Sequence, residues 1–181
     1  MNTSITITPD QDAPKYKSKL DPKYDKVIDI LADALLASIA KGTPLAKINK
    51  TSDKELSRYY SIAYNFYLSE KYDQAKEIFS YLCLNNHTDK KLWMGLAGCC
   101  QMLKQYPQAL TTYAHIKLMD PSDPLPFFHA FTCYIELKKY PEALSALEAV
   151  ILRSLKKSEY AELKKHAEAM KKLLLDTINQ K

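Results

Sequence analysis

The phrase Tyr-x-x-Ala recurs three times in this chain at an unvarying interval of 34 residues: Tyr72-Asp73-Gln74-Ala75, Tyr106-Pro107-Gln108-Ala109 and Tyr140-Pro141-Glu142-Ala143. Lysines stand just before each tyrosine, at Lys71, at Lys104, and at Lys138 with Lys139. A period of this length is one helix–turn–helix unit, which cannot bury its apolar face alone and stacks on its neighbours. A stack of such units is a surface for holding another chain rather than a place where bonds are broken.

The 34-residue period is that of a tetratricopeptide repeat, and it predicts an all-α fold. Numbering each repeat from one at Leu56, Lys90 and Pro124 aligns its positions. Position four is aromatic throughout (Tyr59, Trp93, Phe127), and position 20 is always alanine (Ala75, Ala109, Ala143). Position 24 is Phe79, Tyr113 and Leu147. Position eight, where two helices approach closely, is Ala63 and Ala97 but Phe131 in the third repeat. Pro107 and Pro141 fall at the start of second helices, where the first N–H groups have no internal partner and proline is tolerated. The repeats are therefore expected at 56–89, 90–123 and 124–157, in a right-handed helix–turn–helix superhelix.

Around them, residues 1–22 are polar and carry Pro9, Pro14 and Pro22, which reads as a flexible arm. A single helical repeat domain is expected over 23–181. It starts with an N-terminal helix over 25–41, where Val27, Ile28, Leu31, Leu35 and Ile39 recur at helical spacing before Gly42. Ser52-Asp53-Lys54-Glu55 is a capping box that opens the next helix. A last amphipathic helix over 158–179 (Tyr160, Leu163, Ala167, Met170, Leu174, Ile178) is expected to cap the stack, whose end face otherwise meets water.

Composition excludes several function classes. The net charge of +5 is mild, and its surplus sits in residues 153–181, with eight Lys/Arg against four Asp/Glu alternating as on a solvated helix face. Nucleic acid is therefore not the expected partner. No apolar run reaches the roughly 18 residues of a membrane span, and Met1–Gln11 has no secretory pattern, so a cytoplasmic location without membrane insertion is expected. Cys83, Cys99, Cys100 and Cys133 lack paired spacing and read as small reduced core residues. His87, His115, His129 and His166 are scattered, so no metal is expected. No phosphate loop, nucleophile elbow or carboxylate pair is visible; neither catalysis nor a cofactor is expected.

The first helix of each repeat lines the concave side of the curve, and its groove positions are about five, nine and twelve. They give three rows: Tyr60, Met94, Phe128; Tyr64, Gly98, Thr132; and Tyr67, Gln101, Ile135, with His129 beside the first row. Three tyrosines on one helix supply apolar area with a hydroxyl handle at small entropic cost. Tyr59, Ile62, Ala63 and Phe66 are expected to fill the packing positions, which frees the tyrosine stripe for binding, and Gly98 is expected to leave room for a ligand. Lys, Arg and Asn are scarce on these positions, so an extended apolar peptide fits better than an acidic tail.

The ordered set Ala63-Tyr64-Asn65-Phe66-Tyr67, Phe79-Ser80-Tyr81-Leu82-Cys83, Met94-Gly95-Leu96-Ala97 with Gln101, and Phe128-His129 resembles the class II chaperones of bacterial type III secretion, which escort the pore-forming translocators. Gly42 to Ile48 also resembles that family's link between its first helix and first repeat, and the likeness covers about residues 25–155. The resemblance implies an extended client segment of the form Pro-x-Leu-x-x-Pro on the concave side. It implies a homodimer through the N-terminal helix that yields to a one-to-one complex with client. Phe131 and Gly98 depart from the small or alanine-like residues of the pattern. The leading expectation is a chaperone that keeps a hydrophobic secreted protein, translocator or gatekeeper-type, soluble and export-competent. The alternative is a general repeat scaffold in a larger assembly.

Overall fold

The computed structural model describes residues 52–155 and 157–179; the arm over 1–22, the helix over 25–41 and the link that follows it lie outside the described residues. Seven α-helices and one 3-10 turn make up the described fold, with no strand among the described residues. They are α1 (Asp53–Leu68), α2 (Tyr72–Asn85), α3 (Lys90–Met102), α4 (Tyr106–Met119), α5 (Leu125–Glu136), α6 (Tyr140–Ser154), the 3-10 turn Ser158–Tyr160, and α7 (Ala161–Asn179). Each helix packs on the next in chain order, and α1 also reaches α3. The fold is all-α and built from helix pairs, as the period predicts.

Local signals set where the helices begin and end. Ser52 and Glu55 form the capping box reciprocally: the Glu55 N–H donates to Ser52 Oγ at 3.2 Å, and the Ser52 N–H donates to Glu55 Oε2 at 3.0 Å. The first helix of every pair ends alike. Glu70, Lys104 and Lys138 are left-handed, with φ of 59°, 58° and 57°, although none is glycine. Each is followed by a closing bond typical of a left-handed helix terminus: Lys71 N–H to Phe66 O, Gln105 N–H to Cys100 O and Lys139 N–H to Tyr134 O, at 2.8–2.9 Å. Two carbonyls that would otherwise be orphaned are thereby satisfied at each joint, which offsets the cost of the backbone conformation.

The core repeats as the sequence does. Ala75, Ala109 and Ala143 are fully buried, and Leu82, Ile116 and Val150 lie beneath them at the same spacing. The small side chains let the paired helices close up, and each buried aliphatic stabilises by about 1.5–3 kcal/mol. Repeat three swaps two positions: Ala130 is the fully buried small residue, and Phe131 turns into the cluster formed with Ala143, Leu147 and Ala167. Ala167 and Leu174 of α7 close that cluster, and a Lys171–Glu148 ion pair of 2.8 Å holds α7 to α6. The four cysteines are buried free thiols. Burial pushes Cys83 and Cys99 up to about 12 and Cys133 up to about 11.

Candidate functional site: the concave groove

The wall of the groove is one stripe of α1. Tyr60, Tyr64 and Tyr67 stand at i, i+4 and i+7 and share a face. Tyr64 is 47% exposed, and Tyr60 and Tyr67 are half-buried. The Tyr60 ring stacks on Tyr64 at 6.2 Å with planes 7° apart and meets Phe79 edge-on at 5.9 Å. Tyr67 meets Tyr72 edge-on at 5.4 Å, and burial pushes its phenol above the usual range. These contacts fix the rings, so little conformational freedom is left to lose when a ligand arrives.

Two glycines of α3 form the floor and act differently. A Cβ on Gly95 would overlap the Phe79 ring, so this glycine is what lets α2 and α3 close. A Cβ on Gly98 would stand 3.5 Å from the ring and hydroxyl of Tyr67, an ordinary contact. The space expected to be free above Gly98 is therefore occupied by Tyr67, and the opening lies beside the pair instead.

That opening is a cavity of about 680 Å³ between α1, α3 and α5. Seven of the residues read from the sequence line it: Tyr60, Tyr64, Tyr67, Met94, Gly98, Gln101 and His129. Phe128, Thr132 and Ile135 do not. Phe128 turns toward Phe131 (6.1 Å) and toward His166 of α7 (5.8 Å). Ile135 packs on the third core cluster. Thr132 is held in a polar chain: the Tyr113 hydroxyl donates to Gln101 Oε1 (2.8 Å), Gln101 Nε2 donates to Thr132 Oγ1 (3.0 Å), and the Thr132 hydroxyl donates to the His129 carbonyl (2.7 Å). The His129 ring lies parallel to Tyr113 at 5.5 Å, and burial holds its imidazole below the usual range, against a smaller upward pull from Asp123.

The packing positions on α1 also differ from expectation. Ala63 is buried and Phe66 half-buried, but Tyr59 and Ile62 are 42% and 45% exposed. Neither lines the groove cavity, and Tyr59 instead meets Tyr81 edge-on at 5.5 Å.

Sequence reasoning missed the rim. Lys90, Lys91, Asp123, Leu125 and Tyr160 line the cavity at the starts of α3 and α5. Lys90 Nζ donates to Asp120 (2.7 Å) and Asp123 (2.9 Å), which holds the Lys90 ammonium up at about 12 and the Asp120 carboxyl down at about 2. Asp123 also accepts the Leu125 N–H at 2.9 Å, as Asp89 accepts that of Lys91 one repeat earlier. The equal repeat positions of Asp89 and Asp123 were the signal that acids mark these turns. Tyr160 reaches the rim because the 3-10 turn is folded back, with Lys157 Nζ donating to the Ser122 carbonyl at 3.1 Å. Among the described residues no group of acidic, histidine or cysteine side chains can hold a metal ion, and no helix is long and apolar enough to cross a membrane.

Comparison with known proteins places this geometry. Residues 56–84 and 91–115 match the tetratricopeptide repeat family. The low calcium response locus protein H of Yersinia pestis is 35% identical over 72 residues, which is 40% of this chain and 43% of that protein. The match thus spans less than half the length of that curated relative. Over a longer stretch, the structure of the Yersinia enterocolitica type III secretion translocator chaperone SycD is 33% identical, with a TM-score of 0.67, covering 71% of this chain and 96% of that one. The same chaperone in complex with a peptide of the translocator YopD is 31% identical, with a TM-score of 0.66, covering 72% of this chain and 98% of that one.

Proposed function

This chain belongs to the translocator chaperones of type III secretion, and on that premise we propose that its concave groove holds an extended apolar segment of a secreted client. The client is a translocator or a gatekeeper-type substrate, the segment has the form Pro-x-Leu-x-x-Pro, and binding keeps the client soluble and export-competent in the bacterial cytoplasm. The protein works by covering surface, without catalysis. Apolar area removed from water is worth about 25 cal/mol per Å², whichever chain supplies the cover. In this reading the idle chaperone is a homodimer and gives way to a one-to-one complex with client.

The observation that carries this reading is the stripe of three fixed tyrosine rings opening on a cavity of about 680 Å³. Apolar lining with a few placed polar groups is the usual character of a ligand site. Here Gln101 is pinned by Tyr113 and Thr132, with one N–H of its amide left to meet a peptide carbonyl. Tyr64→Ala with Tyr67→Ala is expected to weaken binding of a Pro-x-Leu-x-x-Pro peptide by about 100-fold in calorimetry, with helicity unchanged by circular dichroism. A complex of undiminished affinity would remove the groove from the account.

The scaffold reading draws chiefly on a row of leucines. Leu84, Leu118 and Leu152 are exposed at one-repeat intervals on the second helices, at 49%, 81% and 66%. Its other support, the basic final helix, is weaker. Lys164, Lys165 and Lys171 pair with Glu168, Glu162 and Glu148, which leaves Lys172 without an ion pair among the described residues. Charge reversal at these four lysines is expected to leave peptide binding intact.

A further inference from the structure

Beyond Tyr60 the groove does not end. A second cavity of about 340 Å³ lies between the start of α1 and the α2–α3 turn, and Tyr60 and Lys91 line both cavities. The two therefore adjoin, with Tyr60 and Lys91 as the wall between them. The α1 stripe is continuous across it: Asp53, Leu56, Ser57 and Tyr60 stand at i, i+3, i+4 and i+7, and Tyr64 and Tyr67 follow on the same face. The floor of the second cavity is apolar, formed by Leu56, Leu82 and Leu92.

Its rim differs in charge from the first. Asp53 and Asp89 face the cavity with Lys91, two negative charges against one positive, for a net of one negative. Neither carboxylate is in an ion pair among the described residues, and Asp89 is engaged only through Oδ1, which accepts the Lys91 N–H. At the other rim, Lys90 is shared between Asp120 and Asp123, so each carboxylate there already meets an ammonium. The rim carboxylates that lack an ion pair among the described residues thus lie in the second cavity, on the far side of Tyr60.

We propose that this second cavity is a subsite for the same extended client, taking a leucine-sized apolar residue next to an arginine or lysine. The apolar residue covers Leu56 and the near face of Tyr60. The basic side chain lays its methylenes along the same floor and carries its charged head to Asp53 and Asp89. The subsite rests on the groove reading above and adds to it a preference for positive charge flanking the client's apolar core. Register is thereby fixed, since only one end of the core reaches this rim.

Synthetic peptides test it. A Pro-x-Leu-x-x-Pro core is compared with the same core extended at either end by Leu-Arg or by Leu-Glu, on the full chain, by calorimetry. One Leu-Arg extension is expected to tighten binding about tenfold, and Leu-Glu to give a smaller gain or none. Ser57→Trp, which fills the second cavity from an exposed position, and Asp53→Lys, which reverses its rim, are each expected to erase the gain and leave core binding unchanged. An equal gain from both extensions, or a gain that survives Ser57→Trp, overturns the subsite while the groove stands. Failure of the core peptide itself overturns the groove reading and the subsite with it. Conversion of the peptide-free protein from dimer to monomer by Ser57→Trp, read by sedimentation, assigns the cavity to a second copy of this chain and also overturns the proposal.

Discussion

The two halves of the concave face occupy the same repeat positions and end differently. On the α1 side, positions five, nine and twelve are Tyr60, Tyr64 and Tyr67, and all three line the cavity. On the α5 side the same positions are Phe128, Thr132 and Ile135, and none does. The cause is the neighbour each helix has. His166 and the third core cluster draw Phe128 and Ile135 in, and the chain of hydrogen bonds from Tyr113 through Gln101 holds Thr132. A repeat position fixes a direction on the helix; what stands opposite decides whether the side chain is covered. The open half is aromatic and uncovered, and the closed half is packed at Phe128 and Ile135 and hydrogen-bonded at Thr132.

The sharpest test of that contrast is a pair of glycine substitutions on the helix between the halves. Gly95→Ala is expected to cost about 2 kcal/mol in urea unfolding, because the Phe79 ring it displaces is 2% exposed and has nowhere to move, even after about 1 kcal/mol of gained helix propensity. Gly98→Ala meets Tyr67 at 3.5 Å and is expected to be neutral or mildly stabilising. Equal costs at the two positions would break the distinction between a packing glycine and a groove glycine.

The closed half is tested next by Gln101→Leu. Tyr113 is 1% exposed, and its hydroxyl loses its acceptor, so about 1 kcal/mol of stability is expected to go. The Thr132 hydroxyl keeps the His129 carbonyl. A variant as stable as the parent would show that the chain of hydrogen bonds does not hold this half together.

The smallest expected effect is pH dependence from His129. Its folded pKa lies below the ordinary value of 6.5, so the unfolded chain binds the proton more readily. The stability this group contributes is present above pH 6.5 and falls as pH drops below it. Tyr113 of α4, Phe128 of its own helix and Asp123 of the preceding turn face the ring, and only Asp123 opposes the shift. His129→Gln is expected to flatten the midpoint of urea unfolding between pH 7 and pH 5. An unchanged slope would place the imidazole in water and open this half of the groove.

Much of this was legible in the amino-acid order. The 34-residue interval marked the helix pairs, the Ser52–Glu55 box marked the start of α1, and seven of the ten groove residues reached the cavity. What escaped has a common physical origin: it depends on contacts between repeats. Nothing in the spacing of Gly98 says that Tyr67 will lie across it. Nothing local to Phe128 says that His166, 38 residues later, will meet it. Tyr160 read as one apolar position among several on a helix, and only the 3-10 turn ahead of α7 brings it to the rim.

The buried sulfurs give the molecule a set of silent reporters. Cys83 belongs to the first repeat, Cys99 and Cys100 to the second and Cys133 to the third. Each thiol holds its proton more tightly than free cysteine does, so in the native state an alkylating reagent finds almost no anion to attack. Labelling then proceeds only through opening, and the order in which the sulfurs acquire mass records which hairpin of the stack comes apart first.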